Sequence, residues 1–203
     1  MDSCLVGSEM CIRDSAQPIS DTVPEIWMLG TSNYGAQLAA YLGIPYCFAH
    51  FITDGQGLKE ALDIYRSEFR PSKKFPKPLV NVCMWALTAN TNEEAKYLFA
   101  SRAAWKIGRN YGQLGSITDP DNALSIINDN GWTEQYQNMY QNSLVGDANI
   151  TKDKISKLVK ENNIDEIAIL TWCHNENHRI KSYEIFANAF ELSPKRKSEK
   201  TAV

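Results

Sequence analysis

The stretch from Pro24 to Gly43 limits the folds open to this chain more than any other. Ile26 to Leu29 is a short apolar run, the pattern of a strand covered on both faces. Gly30 breaks it. Thr31 and Ser32 follow, with Asn33 behind them, and all three are side chains that cap helix N-termini. Leu38, Leu42 and the small Ala36, Ala39 and Ala40 then share a helical face narrow enough for close packing on a sheet. Gly43 stands where a C-terminal glycine cap belongs. The stretch therefore reads as strand, tight turn and helix, the opening of a parallel α/β unit.

Such a turn has two readings. Hydroxyls and unpaired backbone N–H groups at a helix start form an anion site, and the helix dipole favours negative charge there. Gly30, Thr31 and Ser32 then hold a phosphate. Alternatively the hydroxyls only cap the helix.

The alternation continues downstream. Tyr46 to Phe51 predicts a second short strand with His50 and Phe51 at its C-terminal end, the end that carries sites in parallel barrels. Leu58, Ala61, Leu62, Tyr65 and Phe69 recur at helical spacing and predict a helix from Gly57 to Arg70. Leu79 to Ala89 is β-rich. Thr91, with Glu94 three residues on, predicts a capped helix running through Arg109. A glycine-rich loop to Pro120 precedes helical segments up to Leu144, interrupted at Asn130-Gly131, in which Tyr136, Met139 and Tyr140 read as core. Ile150 to Asn162 predicts a helix with Thr151 as its cap, Ile164 to Thr171 a last strand, and Ser182 to Phe190 a closing helix. His174, His178 and Arg179 fall in what reads as a charged surface loop.

Three ordered runs, Trp27 to Ser32, Ala36 to Ala40 and Leu42 to Phe51, carry a resemblance. They resemble the luciferase-like monooxygenases, flavin-dependent oxidoreductases built on a (β/α)8 barrel. Asn90 to Ala95, Val145 to Asp147 and Ser182 to Phe190 continue it, with Asn90 and Asn92 in place of the usual acids and Asp147 in place of a common Thr. The match runs from about Pro24 to Leu192 and covers only the C-terminal half of the family pattern. It implies an α/β fold comprising the C-terminal half of a (β/α)8 TIM barrel, with about four parallel strands and their helices. It further implies that Gly30, Thr31 and Ser32 contact the phosphate of FMN and that His50 and Phe51 wall the pocket. Thr31 keeps the hydroxyl of the commoner Ser, whereas Gly35 loses one. Reduced FMN, supplied by a reductase or NAD(P)H, would place one atom of molecular oxygen into a small organic substrate. No catalytic acid or base is assigned, because the family's N-terminal half supplies most ring and substrate contacts. A deazaflavin-dependent oxidoreductase and a non-catalytic partial barrel or accessory subunit are the alternatives.

Composition bounds the rest. The chain has 203 residues with 43% hydrophobic and 22% charged side chains, an ordinary globular balance. A net charge of −3 argues against a nucleic-acid surface. No apolar run reaches the roughly 20 residues that span a membrane. Cys4, Cys11, Cys47, Cys83 and Cys173 are odd in number and lie in no CxxC pair, which points to a reducing, cytoplasmic setting without disulfides or a metal site. Residues 1–17 read as a non-native or disordered leader, in which Cys4 to Ser15 resembles translated sequencing-adapter sequence. Residues 18–193 read as the domain and 194–203 as a disordered tail. A sheet with open edges predicts pairing with another subunit, for which a homodimer is the simplest form.

Overall fold

The computed structural model describes residues 24–193; the leader, the approach to the first strand and the tail lie outside the described residues. The elements alternate. Strand β1 (Met28–Gly30), helix α1 (Asn33–Leu42), β2 (Tyr46–Phe48), α2 (His50–Thr53) and α3 (Leu58–Glu68) come first. The long strand β3 (Val80–Thr88) and helix α4 (Asn92–Asn110) follow, then α5 (Pro120–Asp129), α6 (Thr133–Asn142) and β4 (Leu144–Gly146). Helix α7 (Ala148–Asn162), β5 (Glu166–Leu170) and α8 (Glu176–Ala189) close the chain.

All strand pairs are parallel. The order is β1-β2-β3-β4, with β5 also paired to β3. Strand β3 is thus the hub. Residues 80–82 pair with β2, 81–85 with β5 and 86–88 with β4. Asp165 starts the β3–β5 ladder by accepting from Val80 N (2.9 Å) through its carboxylate. Side chains finish it: the Thr171 hydroxyl donates to Ala86 O (2.7 Å), and Ser182 Oγ accepts from Thr88 N (3.0 Å).

Successive side chains of a strand point to opposite faces, and β3 uses both. Val80, Val82, Met84 and Ala86 join a core with Ala36, Ala39 and Ala40 of α1, Leu58, Ala61, Leu62 and Tyr65 of α3, Ile155 of α7 and Phe186 of α8. Trp85 and Leu87, with Ala89 just beyond, join a second core made by α4, α5 and α6 around Phe99, Ile127, Trp132 and Tyr136. The Tyr65 hydroxyl secures the crossing from β2 to β3, donating to Ile44 O (3.0 Å) and accepting from Leu79 N (3.2 Å). Arg66 ties α3 to the end of α7 by donating to the carbonyls of Asn162 and Asn163 (2.7 and 2.6 Å).

The local signals place most elements, with five corrections. Ile26 and Leu29 are not buried: Ile26 precedes β1 and is 63% exposed, and Leu29 projects from a face of this edge strand that no element covers and is 57% exposed. The second strand ends at Phe48, so His50 and Phe51 open the short helix α2. Helix α7 begins at Ala148, where the Asp147 carboxylate accepts from Asn149 N and Ile150 N; Thr151 lies inside it and donates to Asp147 O (2.6 Å). Helix α8 begins at Glu176, so His178 and Arg179 are helical. The described residues hold five strands rather than about four. The added one, β4, is three residues long, too short for periodicity to reveal. Thr91 does cap α4, accepting from Glu94 N (3.1 Å), while the Glu94 carboxylate accepts from the backbone N–H of Asn90, one residue before the cap (3.1 Å).

The two faces differ in cost. Met84 is fully buried at the centre of the hub strand, so Met84→Ala should lower unfolding free energy by about 2–5 kcal/mol. Leu29→Ala, on the exposed edge, should change it by less than about 0.5 kcal/mol. Urea unfolding of both variants checks the contrast, and equal losses would contradict the assignment of faces.

Candidate functional site

The C-terminal ends of β1, β2 and β5 converge on one end of the sheet, as their parallel registers require. In parallel α/β folds that end carries ligand sites. At β1 the chain turns into α1 with Ser32 as the N-cap, its hydroxyl accepting from Gly35 N (3.2 Å). Thr31 is half-buried, and a Cβ on Gly30 would meet nothing within 4 Å. The first-turn amides of Asn33 and Tyr34 have no carbonyl of their own helix to serve. Hydroxyls, free amides and open space are the features of an oxyanion site at a helix start. One group opposes it: the Asn33 side chain donates to Glu60 (2.7 Å), which places a carboxylate beside the helix start.

The next turn is tied to the first. Gly30 O accepts from Ala49 N (3.0 Å) and from the Tyr46 hydroxyl (3.2 Å), so the starts of α1 and α2 move together. Of the two residues expected to wall a pocket, Phe51 lines a groove and His50 does not. The His50 ring is buried behind α2, against Gly55, where an added Cβ would lie 2.7 Å from Nε2. Burial and the neighbouring Arg102 and Lys106 hold its pKa below the ordinary value, with Asp54 opposing them, so the imidazole is neutral at pH 7.

The groove has a volume of about 330 Å³ and is lined by Phe51, Ile52, Trp105, Lys106, Arg109, Asn110 and Trp172. Trp172 meets Phe51 and Trp105 edge-on, with ring centroids 6.3 and 5.6 Å apart. Beneath it lies a charge cluster that no local pattern in the sequence announces. Arg102 of α4 is fully buried, its guanidinium 4.1 Å from the centre of the Trp85 ring and 3.0 Å from the Asp54 carboxylate. Lys106 also binds Asp54. Asp54 reaches both from a left-handed backbone conformation, φ 51°, which Asp tolerates better than most residues. Its two cationic partners hold its carboxyl below the usual range despite burial. Arg102 Nε and Nη1 have no hydrogen-bond partner.

Other polar groups lie elsewhere. His174 and His178 border a smaller cavity of about 170 Å³ with Asp119 and Ser101. Arg179 pairs with Glu176 (2.9 Å). Burial raises the thiols of Cys47 and Cys173 to about 11, so neither is a ready nucleophile. Among the described residues no three His, Cys, Asp or Glu side chains are grouped to hold a metal ion, and no helix is long and apolar enough to cross a membrane.

Two stability effects follow. Asp54→Asn leaves Arg102 without its counter-charge and should cost about 1–3 kcal/mol, less than a fully enclosed pair because Asp54 is 42% exposed. His50 accepts protons less readily folded than unfolded, so stability should fall as pH drops below its unfolded value of about 6.5. Urea midpoints at pH 7 and pH 5 measure the loss. It should shrink in His50→Gln, and an unchanged loss would contradict the buried, neutral ring.

The comparisons with known proteins fit this geometry. No protein-family model matches the chain. A protein of Escherichia coli K12 named luciferase-like monooxygenase is 35% identical over 165 residues, 79% of this chain and 48% of its own length. The N-acetyl-S-alkylcysteine monooxygenase of Bacillus subtilis 168 is 27% identical over 176 residues, 85% of this chain and 51% of its own. The chain thus spans about half the length of the curated relatives it matches. Among solved structures, apo-MsnO8 superposes with a TM-score of 0.79 and 28% identity, over 90% of this chain and 56% of its own. The monooxygenase RslO1 of Streptomyces bottropensis shares the fold at a TM-score of 0.52 and 16% identity, over 83% of this chain and 47% of its own. The fold is therefore α/β of the TIM-barrel kind, matched over about half of the neighbours' chains. Sequence relatives and solved structures together support the luciferase-like monooxygenase family for this chain.

Proposed function

We propose that the chain carries the cofactor-phosphate side of an FMN-dependent monooxygenase. The observation that carries this reading is the Ser32-capped start of α1, joined through Gly30 O to the start of α2 at the C-terminal end of the parallel sheet. Thr31, Ser32 and the first-turn amides of α1 would hold the phosphate by hydrogen bonds and helix dipole. Phe51 and Trp172, packed edge-on, would wall the site. Reduced flavin, replenished by a reductase or NAD(P)H, supplies the activation of oxygen and the transfer of one oxygen atom to an organic substrate. Burial holds His50 neutral and the Cys47 and Cys173 thiols protonated, and the roles assigned here to this chain's residues are binding and orientation. The proposed setting is the cytoplasm, where thiols stay reduced.

A second reading is a non-catalytic or accessory role, in which the sheet pairs with another subunit or a second copy. The exposed Leu29 and Glu166 at the two ends of one cross-strand row, Leu29–Cys47–Asn81–Glu166, favour it.

Titration of FMN fluorescence with the 203-residue chain tests the cofactor reading. Saturable quenching is expected, weakened roughly tenfold or more by Thr31→Ala with Ser32→Ala, since hydrogen bonds to a charged group are worth about 1.5–3 kcal/mol. A deazaflavin cofactor that displaces FMN at far lower concentration would shift the assignment to that cofactor. Absence of saturable binding of either would overturn the reading, and the accessory role would stand.

A further inference from the structure

We propose that the groove between α2, α4 and the loop after β5 binds an amphipathic organic anion, its carboxylate or sulfonate on Lys106 and Arg109 and its apolar body against Phe51, Trp105 and Trp172. The inference rests on the monooxygenase reading only for the role of that molecule as substrate; the binding itself stands on the groove.

Three observations support it. First, shape and lining match a small organic molecule. A volume of about 330 Å³ lies at the low end of small-molecule sites, roughly 300–1,000 Å³, which are mostly apolar with a few fixed polar groups. Second, the polar groups are of one sign. Lys106 and Arg109, one turn apart on α4, both line the groove. Arg102 lies one turn before Lys106, buried beneath it. Asp54 is the carboxylate bonded to this cluster, to Arg102 and Lys106, and His50 behind it is neutral. Three cations against one anion leave an excess of about two positive charges beside an aromatic wall. Attraction in a partly desolvated groove is stronger than at an open surface.

Third, the cations are held in place. Arg109 lies over the Trp105 ring, 4.9 Å from its centre, and Lys106 is anchored on Asp54. Cations fixed in this way lose little freedom on meeting a carboxylate, so their attraction is not spent on ordering them. Ile52, 57% exposed beside Phe51, extends the apolar surface outward and gives room for an alkyl or aryl body. Lys106 already shares the Asp54 carboxylate with Arg102, and Arg109 has only the Trp105 ring beside it, so an anion adds a counter-charge that a neutral ligand of the same size does not.

The experiment compares decanoate with decanol, which share an apolar chain and differ in charge. Both are titrated into the chain without flavin, with tryptophan fluorescence as the readout because Trp105 and Trp172 line the groove. Decanoate should bind about tenfold more tightly, the effect of one well-made hydrogen bond to a charged group, and added salt should erode that advantage. Arg109→Gln should bring decanoate close to decanol while leaving decanol and FMN affinities unchanged. Equal affinity of the two ligands in the native chain would overturn the proposal, as would an unchanged preference in Arg109→Gln. Loss of FMN binding in Arg109→Gln would also overturn it, by assigning the cations to the cofactor. Failure of FMN to bind at all, with the decanoate preference intact, would refute the flavin reading and not this one.

Discussion

The structure depends on β3 having no solvent face along its C-terminal half. A strand at the centre of a parallel sheet must be apolar on both sides or lose the energy of burying it. Val80, Val82, Met84 and Ala86 serve one core, and Trp85 and Leu87 the other. Because β3 also pairs with β2, β4 and β5 at successive positions, its placement sets the register of the whole sheet. The helices sort themselves accordingly. Small alanines let α1 approach closely, and the aromatic cluster of Phe99, Trp132 and Tyr136 lets α4, α5 and α6 fill a wider space.

That sorting creates the candidate site. With α4 packed on the Trp85 face, its polar side turns toward the end of the sheet where β1, β2 and β5 finish. Arg102 is then trapped between Trp85, Trp172 and Asp54. A buried guanidinium is costly unless paired, and here one carboxylate and two indole faces offset the cost. The same cluster sets the electrostatics of its surroundings. Burial depresses proton uptake at His50, with Arg102 and Lys106 adding to it against Asp54, and the two cations keep the Asp54 carboxylate ionised. The turn at Gly30–Ser32 rests on different interactions, the Ser32 cap and the contact of Gly30 O with Ala49 N.

Some of this was legible along the chain. The turn from Gly30 to Ser32, the caps Ser32 and Thr91 and the glycine at Gly43 are local devices that read directly as helix ends. The central strand also announced itself by its length and β-rich composition. The misses differ in cause. Ile26 and Leu29 look buried because apolar residues in a short run do not report whether a neighbour covers them. His50 and Phe51 extend an apolar run, yet the chain leaves the sheet at Ala49, where its N–H turns to Gly30 O. Asp147 out-competed Thr151 as a cap because its carboxylate reaches two amides at once.

What the sequence by itself determined is the succession of parallel strands and helices, the helix boundaries set by caps, and the hydroxyl-bearing turn into the first helix. All of these depend on interactions within a few residues. Only the tertiary structure decided which face of β3 each helix covers and that β1 lies at an edge. It alone brought Asp54 to Arg102 and Lys106 across roughly fifty residues of chain and turned Phe51, Trp105 and Trp172 into one aromatic wall. The physical reason is that burial and charge pairing are properties of neighbours in space. An arginine on a helix reads as solvated until the packing of that helix removes the solvent.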